Sequence, residues 1–151
     1  MISKIKQWIG VQPKVVVPRE DVLPGFHKVM KFIDCDKTSR YVVYQLTTFP
    51  QKRIYVGSTT NYLWCRCHDH LKDARTNDSS VRVIQAIKES DYVEVTILYQ
   101  SPIPLAPKHL QDIEKTYIRS TRDTILASLP PHERANIAAY FLNMRPDGRF
   151  L

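Results

Sequence analysis

Long apolar runs, pairable cysteines and acidic residues are all scarce in this chain of 151 residues. No segment approaches the roughly 18 apolar residues of a membrane span, so no transmembrane helix is expected. Nor do the first thirty residues hold a signal-peptide core, because Lys4, Lys6, Pro13, Lys14, Pro18 and Arg19 interrupt every apolar stretch. The 3 cysteines cannot all pair within the chain, and Cys65 and Cys67 are too close to bridge comfortably. A reducing, cytoplasmic setting is therefore expected. Internal repeats and low-complexity tracts are missing too. What remains is 43% hydrophobic and 25% charged, which excludes wholesale disorder and suffices for one domain with one core.

The shortage of acid leaves 22 Lys and Arg against 15 Asp and Glu, a net charge of +7. Such a balance suits a partner rich in phosphate. It also suits small basic proteins that never meet nucleic acid, so charge alone decides nothing. The basicity is spread over the whole chain, with no separate charged tail.

Residues 1–40 read differently from the rest. Ile2, Ile5 and Ile9 fall at helical spacing, after which Pro13, Pro18 and Pro24-Gly25 break any regular element. With Trp8 they would form a sticky patch, so an N-terminal arm is expected, serving packing, self-association as a homodimer, or DNA contact. The body, 41–151, opens with a strand over 41–47, a turn over 48–52 and a returning strand over 53–57. A helix is predicted from about Asn61, its N-cap, to about Arg75. A break at 77–80 then caps a shorter helix with Val81, Ile84 and Ile87 inward. A third strand spans 92–99, a stiff proline-rich connector follows, and helices are predicted over 108–122 and from Pro131 to about Leu142. The expected fold is α/β: a three-stranded antiparallel sheet flanked by helices.

Within this plan a few residues sit oddly. Tyr44 and Tyr55 are symmetric about the predicted turn, which would set them opposite one another on one face of the hairpin. Their plain reading is a stabilising aromatic pair. On the first helix Leu63, Cys67, Leu71 and Ala74 make the buried stripe, and Arg66 and His70 stand on its edge, four apart. Arg beside His suits a phosphate, although a snorkelling Arg and a satisfied boundary His would look the same. On the later helix Glu114 falls among Leu110, Ile113, Tyr117 and Ile118. A carboxylate there is either a buried ion-pair member or a ligand for a hard cation such as Mg²⁺. Cys65, Cys67, His68 and His70 do not make a zinc site, because 65 and 67 point about 200° apart on a helix and no second pair completes a tetrahedron.

Together these residues resemble the GIY-YIG nuclease family over about residues 40–145. Val42-Val43-Tyr44 stands where the family has Gly-Ile-Tyr, with Val42 replacing the glycine. Tyr55-Val56-Gly57 matches Tyr-Ile-Gly and is followed by the expected Ser58-Thr59. Arg66, His70 and Glu114 match the family's Arg, His and metal-binding Glu, and Asn143 its last-motif Asn, with Asn136 the runner-up. The resemblance implies a divalent-metal-dependent endonuclease hydrolysing DNA, with one Mg²⁺ or Mn²⁺ on Glu114 and no small-molecule cofactor or membrane partner. Arg66 would clamp the scissile phosphate, Tyr44 or Tyr55 would position or deprotonate the water, and His70 would assist proton transfer. At neutral pH a tyrosine base would need the metal and Arg66 to lower its pKa. No DNA-reading module is appended, so recognition is expected from the body, the arm or a second subunit. The competing expectation is a catalytically inactive nucleic-acid-binding module on the same scaffold.

Overall fold

The computed structural model describes residues 20–22, 29–76 and 81–151, without the side chains of 20–22, 75 and 76. The apolar stripe Ile2, Ile5, Ile9 with Trp8, the proline breaks from Pro13 to Pro24 and the helix-capping break at 77–80 lie outside these residues, as does most of the expected arm.

Two strands, β1 (Glu20–Val22) and β2 (Val29–Phe32), precede the expected hairpin of β3 (Val42–Phe49) and β4 (Arg53–Thr59). The hairpin's register differs from the symmetric one predicted. Tyr44 pairs with Gly57 and Leu46 with Tyr55, so the two tyrosines are diagonal neighbours on one face. The cause is that β3 runs two residues further than its sequence suggests. Phe49 pairs with Tyr92, their rings stacking at 4.9 Å, and Thr48 Oγ donates to the Gln51 carbonyl at 2.9 Å.

The third expected strand, β5 (Tyr92–Gln100), lies antiparallel to β3. The sheet does not stop there. Its order is β1-β2-β5-β3-β4, and β2 runs parallel to β5, so the predicted three-stranded antiparallel sheet is corrected to a mixed one of five strands. Without β2 the outer edge of β5 would expose its backbone donors and acceptors. Met30 and Phe32 of β2 are buried in the same core as Val93 and Val95. A boundary between arm and body at residue 40 thus cuts through the sheet.

Both faces of the sheet are covered, and the class is mixed α and β. Helices α1 (Leu63–Thr76) and α2 (Arg82–Glu89) pack on one face, against Met30, Phe32, Val42, Tyr44 and Leu46. The predicted stripe Leu63, Cys67, Leu71, Ala74 is buried, and so are Ile84 and Ile87. Val81 is not: it precedes α2 and is 54% exposed. On the other face α3 (Pro107–Ser128) and a 3₁₀ helix (Pro131–Ala139) cover Val43 and Val56. A β-bulge between Val43 and Tyr44 serves this arrangement, because it turns Tyr99 away from the face of Val93, Val95 and Ile97 and toward α3. The chain runs α-helically six residues past the predicted end at Arg122, which buries Ile125. The expected last α-helix is instead 3₁₀ and stops at Ala139. From there the chain lies along the free edge of β4, with Ile54 N–H donating to the Tyr140 carbonyl at 2.9 Å and Leu142 N–H to the Ile54 carbonyl at 2.7 Å. Pairing with that edge outcompetes one more helical turn. Among the described residues no helix is long and apolar enough to cross a membrane.

Candidate active site

The far end of β4 is where elements from both faces of the sheet meet: α1 from one side, α3 from the other. Gly57 lies there, opposite Tyr44. A Cβ on it would stand 2.7 Å from the Tyr44 hydroxyl and 2.8 Å from Cε2 of Tyr55. The glycine is needed for space, not for an unusual backbone angle. Into that space fold the two tyrosine rings, 6.4 Å apart, and the edge of the His70 ring, 5.9 Å from Tyr55.

Helix α1 supplies His70 and Arg66. Its start is held from outside: Leu63 N–H donates to the Ser39 carbonyl at 2.8 Å and Trp64 N–H to the Lys37 carbonyl at 2.8 Å. Asn61 sits one residue ahead of the true cap, and its side chain accepts from Tyr62 N–H at 2.7 Å. The two residues read as one stripe edge differ in depth. His70 is buried, with Nε2 3.0 Å from the Tyr44 hydroxyl, while Arg66 remains open to solvent. Burial, and then the charge of Arg66, push the His70 pKa down to about 3. The ring is therefore neutral near pH 7. The Tyr44 hydroxyl and the neutral ring share one proton-bearing hydrogen bond.

Neither tyrosine is acidified. Burial first, and then Tyr55 and Cys67, raise the Tyr44 pKa well above its ordinary value, and Arg66 offsets only part of this. Tyr55 is raised by burial and by Glu114, again against Arg66. Desolvation outweighs Arg66 by itself, and both side chains are neutral phenols near pH 7. They differ in access. Tyr44 is fully buried, and Tyr55 is half-buried.

From the opposite face of the sheet α3 brings Glu114. The Ser58 hydroxyl donates to its Oε1 at 2.7 Å. Burial raises the carboxyl's pKa, while Ser58, Arg66 and Lys115 pull it back. Ser58 shares a face of β4 with Ile54 and Val56, so strand alternation assigns it to the α3 side once α3 is known to lie there. The sequence carries Ser58 in its motif, but its hold on Glu114 was not foreseen.

Asn143 belongs to another job. It is buried, and its side-chain amide makes two bonds to one peptide unit: Val56 N–H donates to Oδ1 at 2.8 Å, and Nδ2 donates to the Val56 carbonyl at 2.8 Å. Those two bonds continue the edge pairing of β4 that Tyr140 and Leu142 begin. Asn143 therefore fixes the backbone between Tyr55 and Gly57, and the bonds its side chain makes are to that strand. Asn136 is exposed on the 3₁₀ helix.

Beside these residues opens a groove of about 250 Å³, lined by Ser58, Thr59, Thr60, Arg66, Pro107, Leu110 and Gln111. Two of its lining residues link it to the other candidates: Ser58 bonds Glu114, and Arg66 interacts with Tyr44, Tyr55 and Glu114, while His70 stands behind Tyr44. One wall of the groove carries three hydroxyl residues and a guanidinium, which suit an anionic ligand, and the other is Pro107, Leu110 and Gln111 of α3. Among the described residues no three His, Cys, Asp or Glu side chains gather into a metal-binding group. No protein-family model, no curated protein and no solved structure matches the chain.

Proposed function

We propose that the chain is a divalent-metal-dependent endonuclease that hydrolyses DNA phosphodiester bonds at a GIY-YIG-type site. One observation carries the reading: the solvent-open Arg66 of α1 lines the groove, and the half-buried Tyr55 of β4 and Glu114 of α3 both interact electrostatically with that arginine. A binding module on this scaffold would gain nothing from Glu114, whose charge opposes phosphate.

Glu114 fits an ion held by a single carboxylate, with water and substrate phosphate as the remaining oxygen ligands, the habit of Mg²⁺ and of similar hard ions. Its raised pKa supports this, since a bound cation relieves the desolvation that burial imposes on the carboxylate. Ser58 holds the carboxylate in place. When bound, Mg²⁺ or Mn²⁺ supplies Lewis-acid stabilisation of the charge on the phosphate oxygens. Everything else falls to the chain's own groups. Arg66 clamps the phosphate with a permanent forked donor. Its guanidinium is in turn hydrogen-bonded to the Tyr44 oxygen, which is itself 3.0 Å from His70 Nε2. This buried pair sets the angle at which Arg66 enters the groove. Of the two tyrosines, Tyr55 has the access to orient the attacking water, its hydroxyl oxygen accepting one of the water's protons as a hydrogen bond. Hydrolysis then forms one P–O bond to that water, whose proton is released to solvent, and breaks the bond to the leaving oxygen, which takes up a proton from solvent.

The test is Glu114→Gln. The amide keeps the shape and still accepts from Ser58, so the melting temperature should stay near that of the wild type. Mg²⁺-dependent plasmid cleavage should vanish, and DNA binding in EDTA should be equal or tighter, because the charge opposing phosphate is gone. Metal-dependent cutting at near the wild-type rate would overturn the metal assignment. Lack of any metal-dependent cutting by the wild type itself would overturn the endonuclease.

A further inference from the structure

Next to the groove lies an exposed cluster that the catalytic reading does not use. Arg40, exposed at the entry to β3, sets its guanidinium over two rings, 4.9 Å from the centroid of Tyr41 and 5.4 Å from that of Tyr62. Arg40 Nε donates to the Thr60 carbonyl at 3.1 Å, which ties the cluster to the groove wall. Tyr62 is 42% exposed, unusual for a large ring anchored on so many sides. Its backbone is fixed by Asn61 Oδ1, and Asn61 in turn by Thr59 Oγ at 3.1 Å. Tyr41 holds its place at a φ of 56°, a left-handed backbone that a bulky side chain adopts only where its surroundings enforce it.

Resting on the proposed nuclease site, we infer that Tyr62, backed by Arg40, is a stacking platform for an unpaired nucleobase beside the scissile phosphate, so that the substrate is DNA with at least one unstacked nucleotide at the cleavage point. Three features argue for this occupant. A free aromatic face rewards a base only when that base has left its own stack, which duplex DNA does not offer and single-stranded or looped DNA does. The backbone that carries the ring is held on both sides, by Asn61 and by the first turn of α1, and Arg40 lies against the ring, which limits the entropy lost on stacking. Finally, the platform is one helical turn from the phosphate clamp: the Tyr62 carbonyl accepts the Arg66 N–H at 3.3 Å. A base on Tyr62 leaves its phosphate near Arg66, and Arg40 adds a second positive charge along the same path.

The experiment compares two oligonucleotides of one sequence, one fully paired and one with a single unpaired 2-aminopurine, titrated with protein in EDTA and then cut with Mg²⁺. Wild type should bind the unpaired form more tightly, quench its fluorescence and cut beside it. Tyr62→Ala should lose the quenching and about five- to a hundredfold of that affinity, with an unchanged melting temperature. Tyr62→Phe, which keeps the ring, should restore both. If Tyr62→Ala quenches and binds like wild type while metal-dependent cutting persists, the platform is refuted and the nuclease survives. If wild type prefers the fully paired form, the platform is refuted as well. If wild type cuts neither oligonucleotide, the nuclease reading fails first and takes the platform with it.

Discussion

The Tyr44 hydroxyl and His70 Nε2 face each other at 3.0 Å inside the protein, both residues out of water. A protonated His70 would be a charge buried out of water and close to Arg66. The pair therefore ties the protonation of one ring to the stability of the fold. His70 has a native pKa near 3 against an ordinary 6.5, so below pH 6.5 the unfolded chain takes up a proton that the folded chain refuses. Stability should be fully present above that pH and be lost as pH falls toward 3, at a slope approaching about 1.4 kcal/mol per pH unit. The groups facing the ring are Tyr44, Tyr55 and Arg66, of which none changes charge in that range. Urea denaturation at pH 7, 6 and 5 on wild type and His70→Gln checks it, since Glu114 and the other carboxylates cancel between the two. Parallel pH curves would contradict the buried neutral ring.

Gly57→Ala should be costly for a glycine with no backbone reason to exist. The new methyl meets Tyr44, which is fully buried, at 2.7 Å. One of the rings must leave its place, at about 1–3 kcal/mol. Urea melts report the loss. A cleavage assay should show a further fall, because the Tyr44 hydroxyl that supports Arg66 is the atom displaced.

Asn143→Ala should destabilise through two orphaned backbone groups on Val56, each about 1–3 kcal/mol when buried without a partner. Asn143→Asp keeps the acceptor for Val56 N–H but sets an oxygen against the Val56 carbonyl, so it should fall between Ala and wild type or below both. Asn136→Ala, on an exposed turn, should melt within about 0.5 kcal/mol of wild type. Chemical denaturation of the three variants separates the residues cleanly.

Arg66→Ala removes a solvent-open guanidinium from a helix whose packing is carried by Leu63, Cys67 and Leu71. The melting temperature should barely move, while plasmid cleavage should drop by about 10²–10³-fold, the usual cost of losing one preorganised donor at developing charge. Near wild-type cutting would make Arg66 a surface side chain and nothing more.

Much of this was legible in the sequence because it depends on periodicity within single elements. The stripe on α1, the placing of Tyr44 and Tyr55 on one face, and the misfit of Glu114 on an apolar helix face all follow from spacing. So does the attraction of these residue types for phosphate and a hard cation. Spacing reports only which side of an element a residue is on, however, and not what lies against that side. That β2 would join β5, that Phe49 would stack on Tyr92 and shift the hairpin register by two residues, and that the chain after Ala139 would straighten along β4 were decided by pairing between distant segments. Depth was decided the same way. Arg66 and His70 look equivalent on a helical wheel, yet the two tyrosine rings over Gly57 seal one of them from water and leave the other outside. Desolvation by those neighbours, invisible to any local pattern, keeps His70 neutral and holds both tyrosines in their protonated form.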